Sequence, residues 1–575
     1  MSTSVFENFP QTIDGLAIES WATYEPYYEE LQSRELMTGS LRDWLMDWSN
    51  LSALVYEAGA VSYIRKSLDT ADIVAEQAFL DYINDVQPNA SIADQALKER
   101  FLSTDPDEAT YSDLAMTIRD MRNEADLFRN ENVPLQTELA RLANEYDKIT
   151  GGMTADWDGE EKNLNQLEVL LLKRDRALRE RAWRTMMALW LGEREKLNQL
   201  YIDMLAVRRQ LPQNADLADY RTFAFREKGR FDYTPEDCFT FHEAIEIAVV
   251  PFASRIYEQK RQRLGLETLR PWDVNVDPHN APSLKPYNGQ EELIAHTRRI
   301  FEQVDPALGD YYGVMADRDL LDLDTRVGKA LGGYCSTLPL RRLPFIFMNG
   351  AGTHDDVQTM LHEGGHAFHV FEAADLPYMW QLDPPMEFAE VASMSMELLA
   401  APYLTADKGG FYNDSQAARA RIEHLQGIVL FLPYMAVVDA FQHWVYTHPE
   451  EASDPDACDR EWGALWDRFM PGVDYSGLKD ERVTGWHRKL HIFHSPFYYV
   501  EYGMAQVGAL QIWQQALSDQ AAAVAAYRRA LALGGTKSLP ELFEAAGIEF
   551  RFDISMLSEL MDLVEKQLQL LEARV

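Results

Sequence analysis

Apolar positions along most of this 575-residue chain recur every three to four residues, the period of an amphipathic helix. From Tyr27 to about Leu102 the pattern predicts several helix-length segments, separated by short polar breaks such as Gln87-Pro88-Asn89. A long helical tract is expected from Asp107 to about Tyr146. There the texture changes. Ile149-Thr150-Gly151-Gly152, followed by Asp156-Trp157-Asp158-Gly159, reads as a short hairpin or loop. It sets a boundary between a helical region, residues 1–150, and a second region, residues 151–575. Leu164 to Arg209 returns to helical period, and Pro251, Pro271 and the stretch from Asp277-Pro278 to Pro286 mark loops between further helices. The clearest strand is Leu343 to Met348, closed by Asn349-Gly350; from Asp355 the pattern is helical nearly to the end. The expected architecture is mostly α, with a small β element beside one particular helix.

Composition narrows the partners. Apolar residues make up 46%, enough to bury a sizeable core without disulfides. Acidic side chains number 92 against 54 basic ones, a formal net charge of −38. Such a surface repels phosphate backbones and anionic lipid, so neither nucleic acid nor membrane is an expected partner. Cys238, Cys335 and Cys458 lie far apart with no C-x-x-C pair, which argues against a disulfide framework and against a thiolate zinc site. Met1 to Leu16 has no basic stretch followed by an apolar run, so no signal peptide is expected. No run of 18 uninterrupted apolar residues suggests a membrane helix. These features predict a cytoplasmic, reducing home.

The chemistry concentrates in Thr353 to His369. Thr353 with Asp356 three residues on resembles a capping box, and Val357, Met360, Leu361, Gly364, Phe368 and Phe371 continue at helical spacing. On that helix His362 and His366 are one turn apart on one face, where two imidazoles can hold a zinc ion. Glu363 projects beside that face and can take the proton from a metal-bound water. With 13 histidines in the chain, chance supplies roughly 0.02 copies of H-E-x-x-H. The alternative is a pair of solvent histidines on an ordinary amphipathic helix. Against it, Gly364 and Gly365 fill the x-x positions at about 0.5–1 kcal/mol each, so a close backbone approach is expected there.

Zinc needs a third protein ligand, with water as the fourth. The next helix, announced by Pro384-Pro385, offers Glu387, Glu390 and Glu397. Glu387 falls in the first turn, where the helix dipole alone favours a carboxylate. Glu390 and Glu397 are seven residues apart and share a face, and spacing does not choose among the three. Downstream, His491 and His494 precede Ser495-Pro496, and Tyr498, Tyr499 and Tyr502 follow at helical spacing. Clustered tyrosines commonly serve packing. Their hydroxyls, with a histidine N–H, can also stabilise the oxyanion formed during peptide hydrolysis.

His362-Glu363-Gly364-Gly365-His366-Ala367-Phe368-His369, Phe388-Ala389-Glu390-Val391-Ala392-Ser393 and Met396-Glu397 resemble the thimet oligopeptidase and oligoendopeptidase F family of zinc metallopeptidases. His491-Ile492-Phe493 and Pro496 to Gly503 resemble its bacterial oligoendopeptidase branch. Weaker likeness runs through Arg230 to Pro235 and Leu269 to Asp273, so it covers roughly Ile149 to the carboxyl end. The resemblance implies two helical lobes around a deep substrate channel and one zinc per chain. It implies Glu390 as the third metal ligand beside His362 and His366. Tyr499 and Tyr502 match tyrosines that stabilise the transition state, and His491 matches a histidine lining the same site. The family motif commonly has Phe where Gly364 stands, an exchange expected to loosen local packing while leaving every ligand intact.

The expected activity is internal hydrolysis of short, unstructured peptides by a zinc-dependent oligoendopeptidase. Two readings compete: a metal-dependent carboxypeptidase, which needs a cationic group for the substrate carboxylate, and a peptide-binding protein with a vestigial metal site. The intact Glu363 argues against the latter. An extended substrate is expected to lie along the strand Phe345 to Asn349.

Overall fold

A computed structural model describes residues 4–36, 39–106, 110–279, 281–330 and 332–575. Asp107, where the second helical tract was expected to begin, and Asn280, within an expected loop, lie outside those residues. The chain is mostly helical, as its periodicity predicts, with two small sheets.

The first sheet is the hairpin read from the sequence. Strand β1 (Thr154–Trp157) pairs antiparallel with β2 (Glu160–Asn163). Asp158 and Gly159 both take positive φ, 58° and 87°, the two-residue turn whose twist matches its strands. Two other expectations fail for one shared reason. Gln87-Pro88-Asn89 is no break: Ile73 to Leu102 is continuous helix, with a π-turn at Tyr82–Val86 just ahead of Pro88. Pro251 likewise follows a π-turn, Ile245–Val249, inside an unbroken helical run from Pro235 to Arg263. Proline removes an N–H and crowds the preceding turn; a wider turn at that place accommodates both effects without ending the helix.

Apolar side chains collect into two cores. One draws on residues 13–121 together with Tyr378, centred on Trp44, Trp48, Leu97 and Phe101, and the larger one gathers most of the chain beyond, with Ile64. The second sheet borders the larger core, in the order β3 (Leu321–Asp324), β5 (Leu343–Gly350), β4 (Tyr334–Leu338). Strand β5 is the one the sequence announced, and it is central: parallel to β3 and antiparallel to β4. Both its backbone edges are therefore paired, so a peptide cannot add along Phe345 to Asn349 as expected. The edges without a strand partner among the described residues are the outer ones of β3 and β4.

Five helices carry the argument that follows: α1 (Pro235–Ala244), α2 (His354–Glu372), α3 (Met386–Ala400), α4 (Asp414–Thr447) and α5 (Tyr499–Ala516). Helix α4 is long and apolar enough, by length and hydropathy, to cross a membrane, although its sequence lacks an uninterrupted apolar run. Here it packs inside the larger core, where Val429, Leu432, Met435, Val438 and Phe441 are fully buried.

Helix α2 starts directly after β5 and is capped as predicted: the Thr353 hydroxyl accepts from Asp356 N–H, and the Asp356 carboxylate accepts from Thr353 N–H at 2.7 Å. It packs on α3 with almost no space between backbones. A Cβ on Gly365 would stand 2.5 Å from Ser393 Cα and 2.6 Å from the Ala392 carbonyl oxygen. A Cβ on Gly364 would meet a side chain instead, the ring of Phe301 at 2.5 Å. Phe301 is fully buried and packs edge-on to Phe368, so it fills the space that the resemblance expects a motif phenylalanine to fill, and packing is not loosened.

Gly365→Ala therefore pushes against backbone and Gly364→Ala against a ring that can tilt. We expect Gly365→Ala to destabilise by about 1–3 kcal/mol, the range for overpacking, and to lower the thermal midpoint more than Gly364→Ala. Equal shifts in a melting experiment would contradict the backbone-contact account.

Candidate active site

The contact at Gly365 brings α3 against the histidine face of α2. Glu390 Oε2 lies 3.4 Å from His362 Nε2 and 3.7 Å from His366 Nε2. The second distance exceeds any hydrogen bond and the first is at the limit. Three donors around one tetrahedral ion at about 2.0–2.1 Å would be spaced by about 3.3–3.4 Å. Two imidazoles and a carboxylate at that spacing form a donor set that suits zinc, and the three residues are one of the groups in the fold able to hold a metal ion.

The surroundings fix each donor. Glu397 Oε1 lies 2.7 Å from His362 Nδ1, which places the ring proton on Nδ1 and leaves Nε2 facing Glu390. The other Glu397 oxygen, Oε2, lies 2.7 Å from His424 Nε2 on α4. The Ser393 hydroxyl donates to Glu390 Oε2 at 3.0 Å. Burial opposes the charge on Glu397, but the hydrogen bonds from His362 and His424 outweigh it and hold its pKa at about 2. His424 was not found by sequence reasoning. It sits mid-helix with no motif around it, and only a side-chain contact between α4 and α3 brings it to Glu397.

Glu363 is buried on the side of α2 facing the sheet. Burial first, then Glu390, raises its pKa to about 7, against the lowering effects of His362 and of the Cys335 backbone N–H. Cys335 belongs to β4, so the candidate base lies beside one of the two outer strands of the sheet.

Glu387, one of the three glutamates left open by spacing, is not near the histidines. It is buried and accepts a 2.6 Å hydrogen bond from Tyr233, with Arg230 Nε 3.8 Å away. Arg230 in turn pairs with Glu501 at 2.7 Å. The helix-dipole role expected for Glu387 thus understates it: the carboxylate ties α3 to the segment before α1 and to α5.

A cavity of about 510 Å³ is lined by His354 and Gln358 of α2, Glu397 of α3, His424 of α4 and Tyr499 and Tyr502 of α5, with His491 also on its wall. His491 packs against Tyr499 and Tyr502 with ring centroids 5.0 and 6.0 Å away. Burial, reinforced by Lys489, lowers the His491 pKa to about 4, so the ring is neutral. Its Nδ1 is buried without a partner among the described residues. Burial and the Glu390 charge push the Tyr502 hydroxyl up to about 12, keeping it a proton donor. The structure thus brings His491, Tyr499 and Tyr502 together on one wall. His494 turns away, its Nε2 lying 3.1 Å from Asp147.

The Peptidase family M3 profile matches residues 169–562. The chain belongs to peptidase family M3. It is 26% identical over 181 residues to the chromosomal oligoendopeptidase F of Lactococcus lactis subsp. cremoris, covering 30% of this chain and 28% of that one. Across the curated relatives it matches, the aligned segments span only 24% to 50% of their length. Solved structures match from end to end. PZ peptidase A, solved with an inhibitor, superposes with a TM-score of 0.86 at 27% identity, covering 99% of this chain and 100% of that one. A structure provisionally assigned as oligoendopeptidase F of Bacillus anthracis str. Ames gives 0.80 at 25% identity, with 95% of each chain covered. The chain therefore has the family's helical fold, on the oligoendopeptidase F branch.

In this M3 fold Glu387 is an anchor. Glu387→Ala would leave Tyr233 and part of the Arg230 guanidinium buried without their partner, at about 1–3 kcal/mol per unsatisfied group. A lowered thermal midpoint, with helix content retained by circular dichroism, is the expected result; an unchanged midpoint would remove the anchoring role.

Proposed function

We propose that this chain is a zinc-dependent oligoendopeptidase that cleaves internal bonds of short, unstructured peptides, with one zinc held at this site by His362, His366 and Glu390. The observation that carries the reading is the 3.4 and 3.7 Å spacing of Glu390 Oε2 from the two imidazole nitrogens. When bound, zinc supplies Lewis acidity, polarising the scissile carbonyl and acidifying the attacking water. Glu363 takes the proton from that water and later passes it to the leaving amine. Tyr502, Tyr499 and the neutral His491 present N–H and O–H donors to the oxyanion. Glu397 and His424 hold the His362 ring in its working tautomer. The unpaired edge of β4, beside Glu363, offers backbone hydrogen bonds to an extended substrate, which supports loose sequence preference. The three cysteines are unpaired, in keeping with a reducing cytoplasm.

Two sets of variants separate holding the metal from chemistry. Glu390→Ala should lose zinc on dialysis while Glu387→Ala keeps it; equal zinc content in the two would remove Glu390 from the ligand set. Glu363→Gln should keep zinc and lose roughly 10²–10⁴-fold in turnover. Tyr502→Phe should lower kcat on the order of a hundredfold with KM little changed. An effect confined to KM would assign that hydroxyl to substrate binding instead.

Substrate size is tested with one peptide blocked at both ends, its free-ended twin and a folded protein. Unfolding a domain to enter the cavity costs about 5–15 kcal/mol, which nothing at the site offsets. We expect cleavage of both peptides and resistance of the folded protein. Cleavage of the blocked peptide excludes an obligatory carboxypeptidase, and loss of activity on blocking only the carboxyl end would favour one.

A further inference from the structure

A second convergence of metal-binding side chains lies away from the M3 site, on α1 and the far part of α4. Cys238 and His242 stand one turn apart on α1, and Asp439 and His443 one turn apart on α4. Pairs at that spacing project from one helix face. The two helices pack together, so their pairs meet in one buried place. Asp439 lies fifteen residues beyond His424 on α4, about 22 Å along the helix. The cluster is therefore separate from the Glu390 site.

We propose that Cys238, Asp439 and His443 form a second site for a divalent transition metal of the zinc class, with His242 orienting the aspartate. One donor atom from each of Cys238, Asp439 and His443 falls within 4.8 Å of the other two. His443 Nε2 stands 3.4 Å from Asp439 Oδ2, the same separation as between His362 Nε2 and Glu390 Oε2. His242 Nε2 lies 2.9 Å from that aspartate oxygen, the arrangement in which an outer imidazole aims a ligating carboxylate.

Hydrogen bonding among the described residues does not account for this cluster. Asp439 is fully buried, yet its Oδ1 has no hydrogen-bond partner, and neither has Nδ1 of His443, which is 2% exposed; His443 Nε2 faces only Asp439 Oδ2, at 3.4 Å. Buried polar atoms without partners are uncommon, and two of them on adjacent side chains point to a missing ligand. The ring of His443 is also held in place by Phe225, Phe239 and Phe497, with centroids 6.0, 4.8 and 5.1 Å away. A rotamer locked in this way suits a metal ligand.

Charge and access agree with a cation. A thiolate and a carboxylate together neutralise a divalent ion, so the loaded site carries no net charge into the apolar interior. Sulfur, nitrogen and oxygen donors in one set favour zinc and its neighbours over calcium or magnesium, which take oxygen alone. A cleft of about 650 Å³ reaches His242 and His443 from the surface, with Glu243 and Glu461 on its wall to draw cations in. The absence of a C-x-x-C pair does not exclude such a site, because a single cysteine can be completed by histidine and aspartate from another helix.

The test loads metal-depleted full-length protein with cobalt(II), whose bond to a thiolate gives a near-ultraviolet charge-transfer band. Wild type should take up two cobalt ions per chain and show the band. Cys238→Ser should bind one ion, lose the band and still hydrolyse peptide, whereas Cys335→Ser should keep both ions and the band. His362→Ala should lose one ion and keep the band, so failure at the M3 site reads differently from failure here. Wild type saturating at one ion with no band would overturn the proposal and leave a packing cluster. A band surviving Cys238→Ser would overturn it equally. Should Cys238→Ser not fold, the wild-type spectrum and stoichiometry decide by themselves.

Discussion

The backbone contact between Gly365 and the Ala392–Ser393 peptide is the constraint on which the site depends. Helices separated by ordinary side chains run about 8–10 Å apart. Here no Cβ intervenes, and the approach is limited only by backbone atoms. Gly365 lies directly before His366, and Ser393 is one turn beyond Glu390, so the closest point of the crossing coincides with the donor set. The Ala392 carbonyl is pinned from outside by the Tyr527 hydroxyl at 2.9 Å. Glycine in a helix is unfavourable by itself; the packing it permits is what offsets that loss.

Helix α3 shows how burial gives three chemically identical side chains different work. Glu387, Glu390 and Glu397 each meet a different set of partners: Tyr233 and Arg230, the two motif histidines, then His362 and His424. A buried carboxylate survives only beside donors or cations, so the neighbours decide the role. The first ties the helix down, the second faces both motif histidines, and the third holds one of their rings. All three lie on one rigid element, which keeps the donors in register with the anchor.

Much of this was legible in advance where the signal is local. The H-E-x-x-H helix, its Thr353 cap, the hairpin turn at Asp158-Gly159 and strand β5 are governed by residues within a few positions of one another. The two prolines misled for a related reason. Pro88 and Pro251 are reliable local breakers, but each is tolerated where a π-turn gives the ring room, and the tertiary packing of the whole helix supports that turn.

By itself the sequence determined periodicity, caps, turns and the pairing of His362 with His366, because a helix fixes its own geometry over one turn. It also showed two glycines where a helix resists them. Only the tertiary structure decided what those glycines face, that Glu390 rather than Glu387 or Glu397 stands between the histidines, and that β5 is paired on both edges. His424 and the meeting of Cys238 with Asp439 and His443 belong to the same class. These contacts join residues tens to hundreds of positions apart. Their distances are set by how whole helices cross, and spacing within one helix carries no information about a crossing.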